Sequence, residues 1–413
     1  MNPPPNSEPD SEPDSLTDRE TLHSEIDSND WVDLLAISIW AAVCLVLFAL
    51  TWKLWIPGFT DFPIAPLLLE NTSGLQWAQY AASGAIVIAL GVVIRLPRQT
   101  ILLAVLAAGL LVSFICNQHC LQAWAWQTFL FAVLLWGLPR LDAKRWIGNV
   151  LISIYIFSAI SKFDYQFLHT TGNHFLETLF SLFGSRLPES EKLQLWMTGG
   201  FPVGELLIGI GLLFRQTQRV TVFAAIGMHL TLILLLIKLQ HHPAVIVWNG
   251  LQIMLVIWIF WSYPHDLHKT KADVRKPATS IRKLGTMCFA WIVLLLPLLK
   301  PVGVCDHWMA WGLYSPNNSR VRLTFPPPQL ELLPEDLQAF CQQSDIAQPC
   351  RFRLGQWSLA EVDAPIYPEA RVQKAIALEL IRRYSDIDWK LTELGPSHPI
   401  DGERTETNIE PQR

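Results

Sequence analysis

Lys162 and Asp164 stand at the far end of the apolar run Trp146 to Ser161. A charged side chain there must snorkel to water, pair with a counter-charge or carry out chemistry. Three more polar groups interrupt the apolar runs that follow: Glu205, His229 and, beside Trp248, Asn249. Glu205 lies ten residues before Arg215 and His229 ten after Arg219. At a rise of about 1.5 Å per residue, both sit about 15 Å from the membrane face that those arginines mark, near the midplane. An unpaired carboxylate there is expensive, so Glu205 is expected to be protonated, paired with His229 or facing a wet cavity. With Lys162 and Asp164 at the outer rim, these residues form a polar ladder from surface to mid-membrane, as proton handling or quinone binding requires. To act as a base Lys162 must lose its proton, which desolvation or a cationic neighbour favours; Asp164 either orients the lysine or opposes that loss. Structural roles account for the same residues: a terminal lysine snorkels, a Glu–His pair locks two helices, and an intramembrane Asn joins helices.

The elements that must carry this ladder are membrane helices. Of 413 residues, 51% are hydrophobic and only 16% charged, with 18 tryptophans and a mean hydropathy of +0.28. That composition excludes an ordinary soluble domain and describes a polytopic membrane protein, and no nucleic-acid partner is expected. The first thirty residues hold nine acidic side chains against the single Arg19 and repeat Ser-Glu-Pro-Asp at Ser7 and Ser11. Residues 1–30 are therefore expected to form a disordered acidic tail. The tail lacks the basic n-region of a cleaved signal, so the first apolar run is expected to remain as an anchor.

Apolar runs able to cross about 30 Å of hydrocarbon lie near 31–52, 76–94, 100–116, 121–138, 145–162, 197–214, 219–237, 244–262 and 284–300, which predicts about nine helices. Arg95, Arg98, Arg140, Lys144, Arg145, Arg215, Arg219 and the cluster from Lys269 to Lys283 fall on one side of this pattern. By the positive-inside rule that side is cytoplasmic. The N-terminus is then inside, and Lys162 and residues 301–413 are outside. The expected fold is an all-α polytopic membrane bundle over 31–300 with a small extracytoplasmic α+β domain over 301–413, in a bacterial inner membrane or its equivalent.

In that outer domain Arg320–Phe325, Arg351–Leu359 and Asp386–Leu394 read as strands, Pro334–Gln343 and Pro368–Tyr384 as helices, and Gly395–Arg413 as a frayed end. Cys341 and Cys350 are expected to form a disulfide, because a small domain in an oxidising compartment gains from one. Cys44 and Cys288 read as packed hydrophobes. Cys116 and Cys120 flank His119, but two thiols and a histidine make a weak metal signal, so no metal site is expected. Inert thiols are the simplest reading there, and a redox pair is the alternative. His169, His174, His241 and His242 read as ordinary loop histidines on the outer side.

The segment Tyr155-Ile-Phe-Ser-Ala-Ile-Ser-Lys162-Phe-Asp164 resembles the helix-end motif of the vitamin K-dependent γ-carboxylase-like (HTTM) membrane family. Phe167-Leu-His-Thr-Thr-Gly172-Asn-His-Phe175-Leu, the Glu205-Leu-Leu-Ile-Gly-Ile-Gly-Leu-Leu run, Met228-His229-Leu and Val247-Trp248-Asn249 follow in the order of landmarks of that family and of MauE/DoxX-type membrane proteins. The likeness covers roughly residues 100–265. The stretch from Asn117 to Trp124 looks like an acidic-x-x-Arg-x-Gln-Pro-Trp motif that has lost its acid, arginine and proline. The resemblance implies that Lys162 is a catalytic base acting on a hydroquinone that then reacts with oxygen, while Glu205 and His229 hold the ring or relay protons. Tyr155, Gly172, Trp248 and Asn249 are then the candidate ligand contacts, in a pocket between spans five to eight. No large propeptide-binding domain is evident, so peptide-glutamate carboxylation is not expected. Two other readings stand beside it: a MauE/DoxX-type component supporting electron transfer or disulfide formation, and a non-catalytic scaffold presenting residues 301–413 to an extracytoplasmic protein partner.

The charge pattern makes topology testable. A fusion reporter after Lys300 should report the outside and one after His268 the cytoplasm; a cytoplasmic signal at Lys300 would overturn the assignment.

Overall fold

The computed structural model describes residues 15–67, 73–261, 280–343 and 348–410, with side chains described from Asp30 onward. Residues 1–14 of the expected disordered tail lie outside the described residues. From Ser15, however, the acidic segment is helical and continuous with the first apolar run, as α1 (Ser15–Leu50).

Every apolar run becomes a helix, because in lipid a backbone must satisfy its own polar groups. After the short α2 (Trp52–Trp55) come α3 (Ser73–Arg95), α4 (Thr100–Cys116), α5 (Ala123–Gly137), α6 (Arg140–Lys162) and α7 (Gly172–Leu182). Then follow α8 (Glu191–Leu213), α9 (Arg215–Lys238), α10 (Pro243–Val256), which continues as a π turn to Trp261, and α11 (Ile281–Leu295), which tightens into a 3₁₀ segment to Val302. Among the described residues six helices are long and apolar enough to cross a membrane, or seven if α6 and α7, bent by 86°, count as one span. The other two expected spans, α4 and α5, are shorter, at 17 and 15 residues. α5 is apolar apart from Gln127 and Thr128 and almost wholly enclosed, as a helix with so little polar face must be. It is a core helix that gathers its neighbours.

One end of the bundle is ionic. Asp30 of α1 accepts from Arg98 at 3.2 Å and from Arg140, and Lys283 of α11 meets Asp142 of α6 at 2.8 Å. Deeper, Asp33 Oδ1 accepts from Lys144 Nζ at 2.7 Å and Trp258 Nε1 at 2.9 Å. These contacts fasten α1, α6, α10 and α11 at the end opposite Lys162.

The C-terminal domain covers the Lys162 end. Its antiparallel sheet has the order β2-β3-β1-β4-β5, with β1 (Arg320–Phe325), β2 (Cys341–Gln342), β3 (Cys350–Phe352), β4 (Lys390–Leu394) and β5 (Glu406–Ile409). The helices are α12 (Glu335–Gln338), α13 (Leu354–Val362) and α14 (Ala370–Arg383), the last packed on β1 and β4. Three expectations are corrected. Most of 351–359 is helix α13, because Trp357 and Leu354 pack inward on a helical face. The expected helix 334–343 is one turn, after which the chain pairs with β3. The expected frayed end supplies β5, paired with β4 from Leu391↔Ile409 to Leu394↔Glu406.

The domain is keyed to the bundle by the Phe62–Trp357 rings at 4.6 Å and by His119 Nε2 on the Pro365 carbonyl at 3.0 Å. Ser315 Oγ also donates to the Ser161 carbonyl at 2.5 Å.

Candidate functional site

Tyr155, Ser158 and Lys162 recur at i, i+3 and i+7 and so share one face of α6. A helical side chain leans toward the helix N-terminus, which carries the Lys162 stem back over the preceding turn and into the protein. Its Nζ donates to Ser158 Oγ at 2.5 Å, to the Ser158 carbonyl at 3.1 Å and to Glu205 Oε2 at 2.6 Å. Three acceptors match the three protons of an ammonium. Lys162 is buried at 6% exposure, not at an open rim, and Glu205, for which protonation, a His229 pairing or a wet cavity are the expected alternatives, pairs with Lys162 at the edge of a cavity. Matching depth on consecutive helices says nothing of azimuth. Glu205 faces α6, and the lysine stem spans the difference in height. Within α8, Pro202 lacks the N–H that the Thr198 carbonyl would take, which loosens the turn just before Glu205.

His229 is held on both sides. Its Nε2 meets the Tyr155 hydroxyl at 2.8 Å and its Nδ1 meets Asn249 Oδ1 at 2.9 Å. Asn249 Nδ2 is engaged by the Val245 carbonyl at 2.9 Å, so Oδ1 is the acceptor and His229 Nδ1 carries the proton. In the neutral ring Nε2 then accepts from Tyr155. On the same helix, Trp248 Nε1, beside Asn249, and Gln252 Nε2, one turn on, both donate to Gln127 Oε1 of α5, at 2.6 and 2.8 Å.

These residues surround one cavity of about 190 Å³ between α6, α8, α9 and α10. Tyr155, Lys162, Glu205, His229, Trp248 and Asn249 all line it; Asp164 and Gly172 do not. Asp164 instead caps the corner after α6, accepting from the Gln166 and Phe167 amides at 2.8 and 3.2 Å. A Cβ on Gly172 would fall 2.5 Å from Thr198 Cγ2, so glycine there lets the bent segment close on α8. That corner delivers Phe167 and Phe175 to the cavity wall.

Sequence reasoning missed the lid. Asp306–Ser315 folds over the cavity as a strap and inserts Leu313 and Tyr314. Trp311 and Tyr314 adopt φ of 59° and 57°, a left-handed geometry uncommon for such side chains. Tyr314 Oη lies beside Asn249 with no hydrogen-bond partner among the described residues. His307 anchors the strap through Nε2 to the Ser315 carbonyl at 3.0 Å, and Gly312 passes so close that a Cβ would lie 2.6 Å from the imidazole. An aromatic and a glycine in the Trp-Gly-Leu-Tyr text just after the last apolar run were the available signal.

The remaining candidates lie away from the cavity lining: His169, His174, His241, His242, Cys116 and Cys120. Cys341 and Cys350, expected as a disulfide, are free thiols. The register puts Cys341 opposite Phe352, so Cys350 is a diagonal neighbour at about 7–8 Å, beyond the usual disulfide span.

Six helices among the described residues suited to crossing a membrane define a multi-pass membrane protein, and α6, α8, α9 and α10 enclose a largely apolar cavity into which polar side chains converge. Compared with protein-family models, curated proteins and solved structures, the chain gives no match.

Breaking one half of a buried ion pair strands the other charge at about 3–5 kcal/mol. Lys162→Met and Glu205→Leu should each lower unfolding stability in detergent by about that amount, while the double variant loses less than either; additive losses would refute the pairing.

His307 gives a pH signature. Burial, assisted by the nearby Lys300 cation, pushes its imidazole from 6.5 down to about 3. Among the described residues no acceptor faces Nδ1 to take the N–H of a protonated ring. The unfolded chain therefore binds this proton first, so the contribution is complete above about pH 6.5 and declines as pH falls toward 3, by up to about 1.4 kcal/mol per unit. Melting temperatures should fall from pH 7.5 to 5 more steeply in the wild type than in His307→Gln; equal slopes would exclude His307 as a cause.

Proposed function

We propose that this protein binds the ring of a quinone or hydroquinone, drawn from the lipid phase, and exchanges a proton with it through Lys162 and Glu205. The convergence of an ion pair, a Tyr–His–Asn chain and aromatic walls on one cavity carries this reading. A site in which titratable groups meet in an apolar recess is the default ligand site of an uncharacterised protein. The volume suits one ring, since an engineered cavity of about 150 Å³ takes benzene. Phe167, Phe175, Phe201 and Trp248 supply apolar faces, and Tyr155, Tyr314 and Glu205 supply polar edges.

Access is lateral. The lining residues that keep partial exposure belong to α8, α9 and the strap: Phe201, Glu205, Met228, Thr231, Leu232, Leu313 and Tyr314. Val203, Leu207, Leu230 and Leu234 flank them as exposed apolar side chains, so the opening faces an apolar surface and a lipid tail can remain in the bilayer.

The ammonium of Lys162 can pass a proton to Glu205 along their hydrogen bond, leaving a neutral amine beside a carboxylic acid. That amine takes the proton of an acidic ring hydroxyl, regenerates the ammonium and leaves a ring oxyanion next to it. Lys162 is then the base and Glu205 the store for its proton. The resemblance to the carboxylase-like family places the same role on Lys162.

Lipid extracts of the purified protein, read by mass spectrometry, should contain a quinone at near-stoichiometric amount in the wild type. Lys162→Ala and Glu205→Gln, if still folded by gel filtration, should lose most of it, by ten-fold or more. A wild-type protein that neither retains a quinone nor binds added menadione would remove the proposal.

A further inference from the structure

A second cavity, of about 390 Å³, opens at the opposite, ionic end of the bundle. Its floor is apolar, from Ile37, Leu103, Leu135, Trp136 and Leu138, and its rim carries four cations: Arg98, Arg140, Arg282 and Lys283. The amino ends of three helices meet around it, since Thr100 begins α4, Arg140 begins α6 and Ser280 caps α11. First-turn N–H groups have no partner within their own helix and carry positive partial charge. Two of these three ends, those of α4 and α6, have no side-chain cap.

The carboxylates that answer these cations do not line the cavity. Asp30 engages Arg98 and Arg140, and Asp142 engages Lys283 together with Arg145. Neither aspartate is among the lining residues. Among the described residues, four cations against two carboxylates leave an excess of positive charge facing the recess. Arg282 is exposed and makes no ion pair among the described residues.

A cationic rim above an apolar floor, at the end of a membrane bundle, matches an amphiphile with an anionic head. The arginine forks suit the oxygens of a phosphate. We infer that this cavity is a binding site for an anionic phospholipid, its phosphate held by Arg98, Arg140 and Arg282 and an acyl chain laid against Leu103, Leu135 and Trp136. A free phosphate would use the rim but not the floor, whereas the floor makes up most of the surface. This site is independent of the proton-exchange cavity at the other end.

The test uses the full chain, delipidated in a neutral maltoside detergent and titrated separately with phosphatidylglycerol, phosphatidylcholine and inorganic phosphate, with binding read by native mass spectrometry and thermal shift. Phosphatidylglycerol should bind at least ten-fold more tightly than phosphatidylcholine and raise the melting temperature. Arg282→Gln, which breaks no ion pair seen here, should weaken phosphatidylglycerol at least five-fold while its lipid-free melting temperature stays unchanged. Thr100→Trp, which fills the mouth, should do the same without removing charge. Arg219→Gln, which alters a cation outside the cavity, should leave binding unchanged. Equal binding of the two lipids, equal stabilisation by inorganic phosphate alone, or an Arg219→Gln loss as large as that of Arg282→Gln would each overturn the inference.

Discussion

Two unlike charges withdrawn from water set the terms for the rest of this protein. Desolvating an ammonium and a carboxylate costs several kcal/mol per ion, which their attraction offsets only when the remaining hydrogen-bonding capacity is also met. Lys162 meets that condition with Ser158 and Glu205 as its acceptors. To bring Glu205 within 2.6 Å, α8 must approach α6 closely. Gly209 makes this possible, because a Cβ there would lie 2.8 Å from Ile156 and 3.1 Å from Tyr155. The ion pair and the glycine are therefore one device: contact at one turn of α8 holds the charge geometry at the turn before it.

The pair also dictates that its end of the bundle be roofed. Water entering from above would raise the local dielectric and weaken every electrostatic contact in the cavity. The strap provides the roof, and the C-terminal domain holds the strap in place. β1, the central strand, begins five residues after Ser315. Arg404, in the turn before β5, donates to the carbonyls of Pro316 at 2.6 Å and of Asn318 and Gly395 at 2.7 Å. Segments nearly ninety residues apart thus tie down the strap's C-terminal flank, while Arg371 and Tyr367 hold Asp306 at its other end.

What could be read in advance follows from where the information lies. Continuous apolar runs announce helices locally, so all nine runs became helices; that α4 and α5 are short depends on how neighbours enclose them. The residues of the cavity were legible as types out of place in lipid. Their pairing was not, because helical rise gives depth while azimuth and side-chain reach are set by packing. Tyr155, at i and i+7 with Lys162, carried a usable signal of a shared face. β1 alternates and was legible from Arg320 to Phe325. β5 is a polar edge strand whose partner, β4, supplies its reason for order, and α13 has too few residues for its period to outweigh its β-prone text.

The direction of the hydrogen bonds narrows what the cavity can hold. Asn249 is fixed by the Val245 carbonyl, so the chain Tyr155–His229–Asn249 ends on the backbone of α10. A proton entering it has no onward route, which under the proposed function assigns the exchange to Lys162 and Glu205 and makes His229 a positioning group. With its own proton committed to His229, Tyr155 presents oxygen lone pairs to the cavity and accepts. Tyr314, whose hydroxyl is unpartnered, can donate. A ligand suited to this site therefore needs a hydroxyl to give and an oxygen to receive on one small ring, at opposite polar edges with apolar faces between. A hydroquinone and its half-ionised form meet that description, and a purely hydrocarbon ligand would leave the Tyr314 hydroxyl without a partner in a low-dielectric recess.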